Sequence, residues 1–265
     1  MIPKEHGGWA MLLIPYVIGL GVAERIGLES LLFLAGILLV FLASEPLSVL
    51  VKSLRGKGPN NRRDSALRWL LIYLFLAGLV SVTVILLYGR WWLILFGVLG
   101  LTSLGLQGFV ESRRMDRTIT GELVGALGLS LSAPGVYYVT LGDLGQIAFL
   151  LWLLSSLHSM GSVLYVNLRL RHHIARGKCT GLRDRLALSK NTIVFLVILV
   201  AVLVGLGYLG HVPLLALAAF IPLVYKAVRA IYRASPSFSF KRVGLLELAS
   251  SAVFAAVLIM SYVAR

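Results

Sequence analysis

Residues 30–53 read SLLFLAGILLVFLASEPLSVLVKS. The run holds one acid, Glu45, and one base, Lys52, and as a helix rising about 1.5 Å per residue it can cross a hydrocarbon core of about 30 Å. Comparable runs recur near 8–23, 67–88, 91–110, 119–140, 144–168, 190–209, 211–228 and 244–264. Composition points the same way: 58% of the 265 residues are hydrophobic and 14% charged, with a mean hydropathy of +0.90, far from the usage of a soluble domain. The reading is an all-α polytopic protein of the cell (inner) membrane. It is one transmembrane helical domain over residues 1–265, with about nine transmembrane helices.

The net charge of +14 could suggest a nucleic-acid partner, but its distribution argues against one. With a cytoplasmic N-terminus, all of the 25 Lys and Arg except Arg25, Arg90 and Arg265 fall on cytoplasmic loops or at cytoplasmic helix ends. That is the positive-inside pattern of a membrane protein, and an odd number of spans places the C-terminus outside. Gly21 and Ala23 before Glu24 resemble a small-residue cleavage site, yet Lys4 is offset by Glu5, a poor n-region for a signal peptide. The first run is read as a retained helix. The single cysteine, Cys179, excludes a disulfide within the chain. His172 and His173 point about 100° apart on a helix and stand among Arg and Lys, which favours a solvated basic loop over a metal site.

Ionisable residues inside spans are costly and usually face a partner or a cavity. Glu45, Glu122, Glu247 and His158 are the candidates. Helical spacing places Glu45, Ser48 and Lys52 on one face, His158, Ser162, Tyr165 and Arg169 on a second, and Thr118, Glu122, Gly125 and Leu129 on a third. Singly, such groups serve as packing hydrogen bonds or snorkelling ends, the reading given to Glu247 near its interface. Together, three faces near the cytoplasmic side predict a chamber open to that side. Gly121, Gly125, Gly128 and Ser132 form a small-residue surface suited to close helix contact. Pro46, Pro134 and Pro222 predict kinks.

Cations outnumber acids at the expected mouth: Lys52, Arg68, Arg117, Arg169 and Arg171 can grip phosphate or carboxylate oxygens. An amphipathic anion with an apolar tail suits both halves of such a chamber, and so does a structural anionic lipid. The opening PKEHGGW, residues 3–9, is richer than a helix cap requires. Its two glycines are expected to turn the backbone so that Lys4, Glu5 and His6 lie over the mouth, with Trp9 as a wall.

PKEHGGWAMLLIP, ALRWLLIY, GELVGALGLSLSAPGVYY and KRVGLLELASSAVF resemble the YwiC-like family of bacterial and archaeal membrane proteins. More distantly, the chain is similar to UbiA-type intramembrane prenyltransferases. That likeness implies a nine-helix bundle in which acidic motifs after helices two and six hold Mg²⁺ against a prenyl diphosphate. Here the corresponding stretches read SEPLSVLVK and YVNLRLRHH, with Glu45 as a lone acid and Asn167 and Arg171 where paired Asp would stand. This is too few hard oxygen ligands for Mg²⁺, so Mg²⁺ is not assigned and the cofactor stays open.

Three functions are consistent with these residues. The first is a UbiA-like, prenyltransferase-type enzyme acting on a membrane lipid or isoprenoid. In it Lys4, Lys52, Arg68, Arg117, Arg169 and Arg171 bind the anion, His6, Glu45 or Glu122 serve as bases, and Trp9, Tyr73 and Tyr165 line the site beside His158 and Asn167. The second is a transporter for a small anion or lipid. The third is a non-catalytic holder of lipid, quinone or haem, with His158 and His6 as the axial candidates for haem.

Overall fold

The computed structural model describes residues 6–54, 63–113, 119–175, 181–232 and 239–264. Every regular element among them is an α-helix: α1 (His6–Ala23), α2 (Leu28–Leu54), α3 (Arg63–Tyr88), α4 (Leu93–Arg113), α5 (Ile119–Leu129), α6 (Ser132–Leu141), α7 (Gln146–Ile174), α8 (Leu182–Leu188), α9 (Lys190–Tyr208), α10 (Leu214–Ala218), α11 (Ile221–Tyr232) and α12 (Phe240–Val263). Among the described residues seven segments have the length and apolar composition to cross a membrane: Leu28–Ser53, Arg63–Tyr88, Ile119–Leu141, Gln146–Ile174, Lys190–Tyr208, Leu214–Tyr232 and Lys241–Val263. Gly7–Ala23 and Leu93–Leu106 are shorter apolar helices. The chain is a multi-pass, all-helical membrane protein.

Two of the expected runs are broken rather than merely kinked, each four residues before a proline. Residues 119–140 divide into α5 and α6 around Ser130, and 211–228 into α10 and α11 just after Ala218. A helical proline removes one donor and crowds the carbonyl four residues earlier, which for Pro134 is Ser130 and for Pro222 is Ala218. Neighbouring groups re-satisfy the first break. The Ser130 carbonyl that Pro134 leaves without its usual donor accepts from Ala133 N–H at 3.2 Å instead, and Ser132 Oγ beside the break donates to Leu12 O on α1 at 2.8 Å. Pro15 and Pro46, by contrast, lie within unbroken helices.

The chain forms two compact units, Met1–Trp152 and Leu153–Arg265. In the first, α1 packs on α5 and α6, α2 on α3, α4 and α6, and α4 on α5. Its core centres on Tyr16, Phe33, Val84, Val136, Tyr138 and Val139. The predicted small-residue surface is used here. Gly121 and Gly125 are buried, and at Gly128 a Cβ would collide with the Ser103 side chain, so α4 and α5 can approach only because that side chain is missing. Arg90, an exception to the charge pattern, caps α6: its Nε donates to Val139 O at 2.9 Å and its Nη2 to Thr140 O at 3.3 Å.

The second unit contains most of α7 and all of α8 to α12. Tyr165, Leu168, Ala230, Ile231 and Val243 form a core cluster. Gly161 lies beneath Leu223 and Phe195, so any side chain there would force α7 away from them. The segment expected as a basic loop after α7 contains the short helix α8.

Candidate functional site

The first unit contains a partly open groove with a cavity of about 110 Å³. Leu12 of α1, Phe33, Gly36, Ile37, Val40 and Phe41 of α2, Val80 and Val84 of α3, Phe96, Gly97, Gly100 and Leu104 of α4, and Gly125 and Gly128 of α5 line it. The few polar groups in its wall are the hydroxyls of Ser81, Ser103 and Ser132. An apolar cavity of similar size, about 150 Å³, takes up benzene rather than water. This one has room for a short stretch of hydrocarbon.

Beyond the lining, helical spacing carries the same faces into polar residues. On α2 the spacing Ile37, Phe41, Glu45, Ser48, Lys52 is a single helical face that passes from buried Phe41 through half-buried Glu45 to exposed Lys52. On α5 Glu122 lies one turn before Gly125, and on α1 Trp9 lies one turn before Leu12. One contact ties Trp9 of α1 to this stretch of α2: Trp9 meets Phe41 edge to face at 4.9 Å. A Cβ built on Gly108 of α4 would lie 3.9 Å from Leu47 and Val51 of α2. Arg68, exposed on α3, and buried Tyr73, 5.4 Å from Trp69, stand on the helix that packs against α2.

The opening stretch differs from its expectation. Gly7 and Gly8 are helical residues of α1 rather than a turn. Gly8 serves by what it lacks, since a Cβ there would come within 3.0 Å of the Phe41 ring. The His6 side chain, Lys4 and Arg117 lie outside the described residues.

In the second unit the predicted α7 face is real. His158 and Tyr165 are buried, as is Ser162, while Asn167, Arg169 and Arg171 are half-buried along the same helix end. The partners of this face are what the sequence reading missed. His158 stacks on Phe254 of α12 with ring centroids 4.0 Å apart and an 8° interplanar angle, and its Nε2 lies 3.2 Å from Ser251 Oγ. Lys226 of α11 lies 2.8 Å from Glu247 Oε1, donates to Glu247 Oε2 at 2.9 Å and to Ser250 Oγ at 3.1 Å, and sits 5.2 Å from the centre of the Tyr165 ring.

One expectation is corrected by this arrangement. Lys226 was counted as a loop cation, yet it lies within α11 with its side chain 12% exposed, because Glu247, Ser250 and Tyr165 supply the charge and donors' partners that water would. Of the two readings given to Glu247, a packing bond or a snorkelling end, the structure has the packing bond, with Glu247 as the counter-ion of Lys226. The legible signal was the spacing Glu247, Ser250, Ser251, Phe254 on one face of α12. Lys226 alone had no such signal.

Comparison with known proteins places these features in a family. The family model described as YwiC-like protein matches residues 2–137. The chain belongs to the YwiC-like family. An uncharacterized protein YwiC of Bacillus subtilis (strain 168) is 26% identical over 97% of this chain and 96% of its own length. An uncharacterized protein of Haemophilus influenzae is 24% identical over 98% of each chain. No solved structure matches significantly. For this YwiC-like protein the family match lies within the first unit, with the groove, while both relatives align across the second unit as well.

Proposed function

We propose that this YwiC-like protein is a UbiA-like intramembrane enzyme of the cell membrane that acts on a lipid-soluble, anion-headed substrate of the prenyl diphosphate or quinone-precursor type. The observation that carries the reading is the groove of the first unit. By helical spacing its apolar walls on α1, α2 and α5 continue toward Trp9, Glu45, Ser48, Lys52 and Glu122. The hydrocarbon occupies the groove and the anionic head lies at the polar rim. There Lys52 and Arg68 stabilise a departing diphosphate by fixed positive charge. In a transfer reaction the carbon–oxygen bond to diphosphate breaks with its electron pair on the diphosphate, and the acceptor's attacking atom bonds to the freed carbon. Glu45 or Glu122 takes the acceptor's proton.

Mg²⁺ is not part of this reading. The rim offers single carboxylates on separate helices, and among the described residues no three His, Cys, Asp or Glu are grouped to hold a metal, whereas Mg²⁺ needs near-octahedral oxygen ligands.

Purified protein incubated with prenyl diphosphates and a lipid extract, with and without chelator, is the test. Release of diphosphate that survives chelation and falls in Lys52→Met supports the proposal. Absence of both release and prenyl diphosphate binding removes it.

A further inference from the structure

The second unit is charged very unevenly. Between Leu153 and Arg265 the only acids are Asp184 and Glu247, against thirteen Lys and Arg. Glu247 is already paired with Lys226, and Asp184 is exposed on α8. Yet several cationic groups at one end of this unit are turned inward. Among the described residues, Nε of Arg169 and Nε of Arg185 are buried without a hydrogen-bond partner, and the His172 ring lies with them.

These three groups are neighbours. Arg169 and His172 are three residues apart on α7, hence on one face, and the Arg185 and Arg169 charges both act on the His172 ring. Ser189 joins the two helices, with its Oγ donating to Arg185 O at 2.7 Å and lying 3.4 Å from His172 Nε2. Arg185 is held in place by donating from Nη1 to Tyr232 O at the end of α11, at 3.1 Å. Beside them α8 exposes Leu182 and Leu186, apolar side chains on a short helix between two membrane helices.

Two half-buried guanidinium groups whose buried Nε–H has no acceptor are unfavourable side by side unless something supplies negative charge. Among the described residues of this unit Glu247 is already paired and Asp184 is exposed. A tetrahedral phosphate would supply it, since it offers several acceptor oxygens to Arg forks and to an imidazole. We propose that Arg169, Arg185 and His172 form a binding site for a phosphate group at the membrane surface, with Ser189 holding His172 and Arg185 in place. The exposed leucines of α8 put a lipid headgroup first among its sources. The site stands on the second unit alone and does not depend on the groove reading.

The test compares wild type and Arg169→Gln in nanodiscs of phosphatidylcholine with and without phosphatidylglycerol, reading bound lipid by native mass spectrometry and unfolding temperature. A parallel arm adds inorganic phosphate or pyrophosphate to detergent-purified protein. Wild type should retain phosphatidylglycerol and be stabilised by it, and Arg169→Gln should lower that affinity about tenfold or more, as loss of a charged hydrogen bond implies. In phosphatidylcholine alone Arg169→Gln should be at least as stable as wild type, because it removes an unpaired charge. Stabilisation by free phosphate, lost in Arg169→Gln, sustains the site and identifies a soluble ligand. The proposal is overturned if neither phosphatidylglycerol nor phosphate acts through Arg169, or if Arg169→Gln is destabilised in phosphatidylcholine, which would show the guanidinium to be structural.

Discussion

The two units handle polar groups in opposite ways. The first lines a groove with apolar residues, while helical spacing carries Glu45, Lys52 and Glu122 one turn or more beyond that lining and its buried acid, Glu29, stands at the start of α2 outside it. The second draws its polar groups inside, where Lys226, Glu247, Ser250, Ser251 and His158 connect α7, α11 and α12. Cavity space next to small residues suits a guest, whereas a satisfied ion pair fixes the helices that carry it. The contrast is between a groove with room for a guest and an ion pair that joins two helices.

The harshest way to break the contrast is to unpair the second unit. Glu247→Ala leaves the Lys226 ammonium buried without a counter-ion and should cost about 3–5 kcal/mol, seen as lost expression or a large drop in unfolding temperature in detergent. The double variant Lys226→Met with Glu247→Leu should recover most of that loss. If it does not, the pair has a role beyond compensating its own charges.

A steric change in the first unit comes next. Gly128→Leu should cost about 1–3 kcal/mol, because the new side chain collides with Ser103 where α4 and α5 touch. Arg90→Ala should cost about 1 kcal/mol, by releasing the Val139 and Thr140 carbonyls at the end of α6. Both are read by thermal unfolding of the purified protein. A loss from Arg90→Ala as large as that from Glu247→Ala would mean the first unit also depends on internal charge.

The smallest expected effect on stability is the most informative about function. Gly100 lines the groove, and a Cβ added there meets nothing within 4 Å. Gly100→Phe should therefore fold normally while filling the groove, and copurifying lipid should fall relative to wild type. Equal lipid in both would separate the groove from any binding.

Much of the helical plan was readable directly. Long apolar runs must become helices in a membrane, because backbone donors and acceptors have no other partners there, and the described helices follow those runs. The α7 face from His158 to Arg169 and the α2 face from Glu45 to Lys52 were also readable, since helical phase depends on residue spacing alone. Breaks were harder to read than kinks. Pro15 and Pro46 leave their helices whole, while Pro134 and Pro222 follow interruptions, and the difference depends on which neighbours can satisfy the freed groups.

Partner choice was not readable. Lys226 is indistinguishable in sequence from a loop cation until α11 and α12 are packed, when Glu247 comes within 2.8 Å of it. Likewise Gly8 resembled a hinge until Phe41 was found above it. The sequence by itself determined a helical membrane protein and the polar stripe on each helix, because hydropathy and a period of about 3.6 are local properties. Only the tertiary structure decided that one set of stripes continues an apolar groove and another closes on an internal ion pair. Which faces meet depends on contacts between helices far apart in the chain, and no local pattern records them.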